Sequence, residues 1–481
     1  MIGCDGVARQ NNLRTTHPLI LIAPSQQQYH YRMTSETLPP RIDNAYFFQA
    51  FNAVSWQICL GSPLILFARE LGAPAVVLGL LAGLAPLTST LQLFVAPHAE
   101  RIGYRRLMVS GWSARVVMLV FLTLLPLSLS FWSPTIAIAL LILIMFAFTT
   151  LRGVATCAWM PWVTAIVPKG IRGVYLSRDR TFVGGASVAA LAISGIFLFD
   201  HGNMQAFAIV FSISFLGGMT SLYFLNRIPE PATQTQIGAT PTPTRWGDLL
   251  RDGAFVRLLI FAAAVQLFVL STATFVTVFV RDEVELQDGA ILWITAGAAL
   301  SGIFGLRLLR SRVDGMGSRP FLGVVFLWWT VYYLAWFMLA AHLVDGAQFL
   351  APLLMISAGF FASIYDLSLT RLLMNTVGDR PATTQFFALQ SVIVSLLAGL
   401  SPIAWGWLLD QFHGMQFMLG GAALSGYAIF FGLQWLLLGV VFAALMQVKE
   451  GNATATTTLL YRALVAAPSH RIAGFTHRSR S

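Results

Sequence analysis

The chain has 481 residues, of which 57% are hydrophobic and only 10% are charged, with a formal net charge of +10. This composition excludes a soluble globular protein, because such chains carry about 25% charged residues. The sequence also has no basic segment interleaved with aromatic residues of the kind that binds nucleic acid. Orientation in a membrane and contact with anionic lipid headgroups explain the arginine excess better.

Apolar runs of about 20 residues, each long enough to cross a hydrocarbon core as a helix, recur along the chain. A β-barrel would instead show alternating segments of about 10 residues. The pattern predicts an all-α membrane protein with twelve transmembrane helices. Their predicted bounds are 44–68, 74–96, 107–130, 135–163, 181–200, 204–226, 254–280, 288–309, 320–342, 347–373, 383–410 and 414–447.

The segments between and around these helices predict the domain organisation. Two six-helix halves, 44–226 and 254–447, are separated by a cytoplasmic linker at 227–253 that is rich in Pro and Thr. The N-terminal tail at 1–43 has no run long enough to span a membrane. The composition of the C-terminal tail at 448–481 predicts disorder.

Positive charge is distributed unevenly along the chain. All but two of the 30 Lys and Arg residues fall in the tails, in alternate loops, or in apolar segments beside those loops, and the exceptions are Arg69 and Arg281. Loops rich in cations face the cytoplasm in multi-pass membrane proteins. The sequence therefore predicts a protein of the cell (inner) membrane with both termini in the cytoplasm.

A short motif occurs once in each half, after the second helix. It consists of an acid, a Gly three residues later and an Arg two residues after that. Its copies are Glu100, Gly103 and Arg105, and Asp314, Gly317 and Arg319, with an offset of 214 (314 minus 100). The motif indicates that the halves are similar bundles.

The first copy resembles the signature loop of the major facilitator superfamily of secondary transporters, roughly Gly-x-Leu-Ala-Asp-Arg-x-Gly-Arg-Arg. Glu100 stands at the Asp of that pattern and Arg101 at the Arg, whereas Ala96 and Tyr104 depart from it. The segment around Arg172 is similar to the family's loop between the fourth and fifth helices. The resemblance implies two pseudo-symmetric six-helix bundles around a central cavity. This cavity would open alternately to the two sides of the membrane.

The resemblance also implies a role for these loops, which in the family help to hold the cytoplasmic side shut. The residues of this expected gate motif are Glu100, Arg101, Gly103, Arg105, Arg172, Asp314, Gly317 and Arg319. Another interpretation is that they only cap helices and set orientation. Both roles can coexist.

Two charges fall deep inside the predicted helices. Asp366 is the one acid of the 20 that lies far from a predicted helix end, and Arg152 lies deep in the fourth helix. They are again 214 positions apart (366 minus 152), so they occupy equivalent places in the fourth and tenth helices. A charge near the bilayer centre costs several kcal/mol unless it is hydrated or paired.

Three interpretations of this pair remain open. Arg152 binds an anionic or hydrogen-bonding part of a substrate, while Asp366 holds the substrate or carries a coupling proton. Alternatively, the two form a permanent ion pair. In the third interpretation, each points into its own bundle and finds local partners.

Polar side chains at helical spacing accompany these charges. They predict a cavity lined by the first, fourth, seventh and tenth helices, although single polar residues also join helices by hydrogen bonds. The candidate substrate-binding or coupling residues are Asn52, Trp56, Arg152, Thr156, Trp159, Gln266, Thr274, Ser363, Asp366 and Thr370. Arg115 is expected to extend to the cytoplasmic interface. The aromatic residues of the ninth helix are expected to face lipid or the membrane interface, and the alternative is an aromatic ligand-binding site.

The resemblance thus implies a transporter that moves a small solute, with membrane lipids and a coupling ion, expected to be a proton, as partners. A monomer is the expectation from the family. An enzyme is not expected, because the chain has no His-rich box, paired carboxylates or Gly-x-Ser-x-Gly turn. Neither a cofactor nor a metal is expected, and no phosphate loop for ATP is present. The alternative is a binding or assembly protein that uses a carrier-like fold without transporting.

Overall fold

The computed structural model describes residues 41–167, 172–199, 204–229, 246–377, 383–412, 417–419 and 422–450. Most of the predicted tails and of the predicted linker therefore lies outside the described residues. Inside the described helices, the side chains of Glu100, Arg172 and Asp314 also lie outside the description.

Twelve described helices are long and apolar enough to cross a membrane, which confirms the all-α prediction. We number these spans helix 1 to helix 12 in chain order. Their bounds are Asp43–Glu70, Ala75–Val95, Tyr104–Leu124, Pro134–Val163, Arg178–Phe197, Met204–Leu225, Gly253–Asp282, Asp288–Leu308, Arg319–Ala340, Ala347–Val377, Gln385–Phe412 and Gly426–Gln447.

Several of these spans extend further or are interrupted. Helices 5, 8 and 11 run in full over Arg172–Phe197, Asp288–Met316 and Thr383–Phe412. Helices 1, 2, 4 and 7 each consist of two pieces. These are Asp43–Leu60 and Ser62–Glu70, Ala75–Ser89 and Gln92–Ile102, Pro134–Thr156 and Trp159–Ile166, and Gly253–Phe268 and Ala273–Asp282. Short helices also occur at Pro126–Phe131, Trp246–Leu249 and Leu270–Thr272.

The break in helix 1 follows from its sequence. Gly61 has extended backbone angles, and Pro63 stands in the first turn of the next piece, where its missing N–H costs no helical hydrogen bond. Helix 7 is interrupted by the 3₁₀ turn Leu270–Thr272 at a similar depth. The first helix of each half is therefore broken.

The predicted start of helix 12 at residue 414 is wrong. Two short strands, Phe417–Leu419 and Ala422–Leu424, pair there in antiparallel orientation. The helix begins only at Gly426, where the Ser425 hydroxyl accepts a hydrogen bond from the Ala428 amide at 3.2 Å. This serine cap sets the helix start, and an apolar run alone could not reveal it.

The halves meet where helix 2 packs along helix 11 and helix 5 packs along helix 8. Glycines allow the first of these contacts: a methyl group at Gly83 would lie 2.1 Å from the Gly399 carbonyl oxygen. We call the end of the molecule with the connections 71–74 and 283–287 the outer end, following the predicted orientation. The opposite end is the inner end.

The aromatic residues of helix 9 form part of the core, so the expectation that they face lipid is wrong for most of them. Trp329, Tyr332, Tyr333 and Trp336 are all buried. The Tyr333 hydroxyl donates to the Val269 carbonyl oxygen at 2.9 Å. The side chains pack inside the second half because helix 9 contacts both helix 10 and helix 12.

Candidate functional site

Arg115, on helix 3, is enclosed in the first half and does not extend to the cytoplasmic interface as expected. Its side chain is 0% exposed, and its Nη2 donates to the Asn52 side-chain oxygen at 2.8 Å. The guanidinium carbon lies 4.6 Å from the Trp112 ring centroid and 4.9 Å from that of Phe148. The cation–π contacts and the Asn52 amide stabilise the charged guanidinium inside the bundle, although it was expected at the interface.

Arg152, on helix 4, lies within electrostatic reach of Arg115 and Cys59. Its side chain is half-buried, and it forms none of the ion pairs found among the described residues. Thr156 donates to the Arg152 carbonyl oxygen at 2.6 Å. The Thr156 hydroxyl is thus bonded within its own helix in this conformation.

Other candidates of the first half have mixed positions. Asn52 accepts the hydrogen bond from Arg115, and Trp56 is half-buried on the same helix. Trp159 is 8% exposed and packs against Phe48, with ring centroids 4.9 Å apart. Trp159 is therefore part of the core in this conformation.

Asp366, on helix 10, does not pair with Arg152 in this conformation. It is exposed, and the cation within its electrostatic reach is Arg180 on helix 5, in the opposite half. The permanent ion pair considered from the sequence is therefore not formed here. Instead, the cation near Arg152 is Arg115, and the cation near Asp366 is Arg180.

A crevice of about 650 Å³ lies beside Asp366, between helices 5 and 8 in the inner half of the molecule. Two arginines, one threonine and several aliphatic residues line it. They are Arg180, Thr181, Gly185, Leu300, Ile303, Leu306, Arg307 and Leu367. The crevice therefore offers charged groups from both halves.

The remaining candidates of the second half do not form one cluster. Ser363 donates to the Phe360 carbonyl oxygen at 2.8 Å, and Thr370 is exposed. The Gln266 carbonyl oxygen accepts from Ser271 beside the break in helix 7. Of the predicted residues, Thr274 lines a cavity between the halves.

This central cavity has a volume of about 370 Å³ and lies where helices 1 and 7 are broken. Its walls are apolar, with a few hydroxyl groups, and no charged residue lines it. The lining residues are Leu60, Gly61, Ser62, Ile65, Ala82, Ala273, Thr274, Val276, Thr277, Thr295, Ala298, Tyr332, Met355, Ala358, Gly359 and Ala362. The sequence analysis missed most of them because small apolar residues carry no chemical signal.

Ion pairs join the two halves at the outer end. Arg69, at the end of helix 1, binds Asp282 at the end of helix 7 at 2.6 Å. Arg281 binds Glu70 across the halves, and its Nε donates to Asp288 at 2.8 Å within its own half. We call these five residues the outer gate. Arg69 and Arg281 are the two cations that departed from the charge pattern of the sequence, which was the signal that could have found this gate.

A sixth charged residue supports the same contact. Asp410, at the end of helix 11, accepts hydrogen bonds from the Ala75 and Val76 amides, each at 2.8 Å. The carboxylate caps the N-terminus of helix 2, where the helix dipole favours negative charge. It ties the two halves together beside the outer gate.

At the inner end, the described part of the gate motif shows equivalent turns in the two halves. Gly103 and Gly317 have positive φ values of 91° and 87°, which favour glycine. Arg105 donates to the Asn226 carbonyl oxygen at 2.9 Å, and Arg101 is exposed. The Arg319 amide donates to Glu450 at 2.8 Å. The expected contacts of Glu100, Arg172 and Asp314 lie outside the described side chains.

Solved structures of transporters have the same fold. The nucleoside transporter NupG aligns with a TM-score of 0.58 and 13% identity, over 85% of this chain and 98% of that one. The inward-open xylose transporter XylE from E. coli aligns with a TM-score of 0.61 and 14% identity, over 86% and 96%. A bacterial homologue of the human lysosomal transporter Spinster, inward-facing and unoccupied, aligns with a TM-score of 0.57 and 15% identity, over 86% and 95%.

Sequence comparison identifies the family. No curated protein matches the whole sequence closely enough to count as a relative. The sequence profile of the Major Facilitator Superfamily, however, matches residues 45–392. This range covers most of the chain and includes nine of the twelve spans in full. The chain is therefore a multi-pass membrane protein that belongs to the Major Facilitator Superfamily.

Proposed function

We propose that the protein is a secondary active transporter that moves a small solute across the cell membrane by alternating access, with protons as the coupling ion. The observation that carries the proposal is the asymmetry between its two ends. The outer gate joins the halves by ion pairs, whereas a crevice of about 650 Å³ separates helices 5 and 8 toward the inner end. This asymmetry fits a carrier closed on the outside and accessible from the inside.

The solute path leads through the central cavity. Broken helices at equivalent places in the two halves are typical of substrate sites in transporters, where exposed backbone groups contact the solute. Helices 1 and 7 are both broken at this cavity, and Ser62 and Thr274 offer hydroxyl groups there. A volume of about 370 Å³ suits a small solute.

Structural neighbours support a small polar solute as cargo. NupG is a nucleoside transporter and XylE is a xylose transporter. A sugar or nucleoside would use the hydroxyl groups of the cavity, and Arg152 would take any part of the solute that carries negative charge.

Asp366 carries the coupling proton in this proposal. Arg180 of the opposite half lies within its electrostatic reach, so its electrostatic environment changes whenever helices 5 and 10 move relative to each other. A nearby cation keeps a carboxylate ionised, and its withdrawal favours proton uptake. Movement of the halves thereby changes the protonation of Asp366.

The motif loops act as the inner counterpart of the outer gate. Gly103 and Gly317 form equivalent turns at the inner end, and the charged residues around them would pair when that end closes. With the cation-rich loops on this side, both termini face the cytoplasm.

The experiment uses purified protein in proteoliposomes with a defined mixture of sugars, nucleosides, amino acids and organic acids outside. The interior is made more alkaline than the exterior, and the internal solutes are measured by mass spectrometry. We expect at least one solute to accumulate in wild-type vesicles above its external concentration. In Asp366→Asn vesicles the same solute should only equilibrate, because the side chain no longer takes up a proton.

Asp345→Asn is the matched control, because Asp345 is an exposed carboxylate at the outer end. Accumulation should be unchanged in this variant. Solute contents equal to those of protein-free vesicles would contradict the transport proposal. A solute that binds without counterflow would identify a non-transporting binding protein, and wild-type accumulation in Asp366→Asn would remove Asp366 as the proton carrier.

A further inference from the structure

Two arginines in the first half lie close together without a carboxylate partner among the described residues. The Arg115 guanidinium carbon lies 4.9 Å from the ring centroid of Phe148, which stands one helical turn before Arg152 on helix 4. The two like charges therefore repel each other. The ion pairs of the described residues are all formed by other residues. Asp366, the acid at the position equivalent to Arg152, has Arg180 within its electrostatic reach instead.

Arg115 has unused donors. Its Nη2 is bonded to Asn52, but its Nε and Nη1 are buried and have no hydrogen-bond acceptor among the described residues. A buried donor without a partner costs about 1–3 kcal/mol, and more when the group is charged. The side chain is nevertheless 0% exposed. The bundle therefore holds one enclosed cation whose charge has no compensating anion among the described residues.

Arg152 is the accessible member of the pair. Its side chain is half-buried, whereas that of Arg115 is fully enclosed. Guanidinium groups bind oxyanions through two parallel N–H donors, which gives both strength and orientation. An oxyanion on Arg152 would also be attracted by the field of Arg115, because charges interact strongly in a medium of low dielectric constant.

We propose that Arg152 and Arg115 form a binding site for an oxyanion, so that the transported solute carries a carboxylate, phosphate or sulfate group. The inference rests on the proposed transport function and names the class of substrate. Arg152 is not among the residues that line the central cavity, so the oxyanion would be a further contact of the solute. Arg152 contacts the anion, and Arg115 is a positioning residue that adds positive potential and is itself oriented by Asn52. The oxyanion neutralises the charge that the bundle leaves unpaired.

The test measures sulfate binding to purified protein in nanodiscs of zwitterionic phosphatidylcholine, so that the lipid surface has no net negative charge that competes with sulfate. Sodium sulfate is titrated at constant ionic strength against sodium chloride, and thermal unfolding is followed. Sulfate stabilises most proteins non-specifically, without saturation. We therefore expect a second, saturable rise in unfolding temperature, as binding to the folded state requires.

The saturable component should disappear in Arg152→Gln. In Arg152→Lys, which keeps the charge but loses the two-donor geometry, the half-saturating sulfate concentration should rise by about tenfold. Arg115→Gln should weaken binding in the same direction. Arg106→Gln, at an exposed arginine of the same helix as Arg115, should leave it unchanged.

No saturable component in the wild-type protein would overturn the proposal, as would an unchanged one in Arg152→Lys. The lysine variant keeps the test decisive if Arg152→Gln does not fold. Sulfate binding needs no transport, so its outcome is independent of the vesicle experiment. Saturable binding with no solute uptake would leave the anion site in place and remove the transport function.

Discussion

At the scale of single residues, Arg281 is the member of the outer gate that binds carboxylates of both halves. It binds Glu70 of the first half and Asp288 of the second, and its side chain is only 10% exposed. Removing one member of a buried ion pair leaves the other charges without compensation, which is the main cost of such a change.

We predict that Arg281→Gln lowers the stability of the folded protein by about 3 kcal/mol, at the low end of the range for buried pairs because Glu70 keeps some contact with solvent. Thermal unfolding in detergent micelles measures the effect. Arg251→Gln is the control, since its pair with Asp248 is largely exposed and should contribute at most about 1 kcal/mol. Equal unfolding temperatures for the two variants would show that the outer gate does not stabilise this conformation.

For single residues, the sequence indicated which positions are unusual but did not predict which contacts their side chains make. Arg69 and Arg281 departed from the charge pattern, but nothing in the chain indicated that carboxylates lie opposite them. Arg115 was expected at the interface, yet it is enclosed against Trp112 and Asn52. A helix turns about 100° per residue, so an apolar run fixes neither its rotation nor the direction of a single side chain.

At the scale of helices, the contact between helices 2 and 11 depends on small residues. The backbones approach so closely that a methyl group would overlap a facing carbonyl group at Gly79 as well as at Gly83. Close packing of this kind is a main source of helix association in membranes, where lipid is as apolar as the side chains.

We predict that Gly83→Ala destabilises the protein or separates these helices, because the added methyl would lie 2.1 Å from the Gly399 carbonyl oxygen. Such overpacking costs about 1–3 kcal/mol. Gly439→Ala is the matched control: it lies in helix 12, and a methyl there meets nothing within 4 Å. Its unfolding temperature should stay equal or rise, since Ala favours helix more than Gly does. Equal effects of the two substitutions would refute the role of the close contact.

The elements themselves were largely predictable, since hydrophobic length alone located all twelve spans. The breaks in helices 1 and 7 were not predicted, although Gly61 and Pro63 are visible in the sequence, because both residues also occur inside continuous transmembrane helices. The start of helix 12 was misplaced for a related reason. The residues at 417–424 are apolar, and composition does not distinguish a strand pair from a helical turn.

At the scale of the whole molecule, the internal offset of 214 residues was the most informative part of the sequence. It related Gly103 to Gly317, and both have the same unusual backbone conformation. It also related Arg152 to Asp366, but their partners are different and do not follow the symmetry. A duplicated fold keeps backbone geometry in both copies, whereas each half can acquire its own charges.

In alternating access, opening at one end of the molecule accompanies closure at the other. Spin-label distances between helices 4 and 10 measure this coupling, in protein whose cysteines, Cys4, Cys59 and Cys157, have been replaced. One pair of labels at the exposed positions Thr135 and Gln348 reports on the outer end. A second pair at Ala165 and Asn375 reports on the inner end.

The measurement compares protein with an intact outer gate and the double variant Glu70→Gln, Asp282→Asn, which weakens both ion pairs across the halves. In the variant, we expect a longer distance between the labels at the outer end together with a shorter distance between the labels at the inner end. An outer distance that lengthens while the inner distance stays the same, or two distances that do not change, would contradict alternating access in this protein.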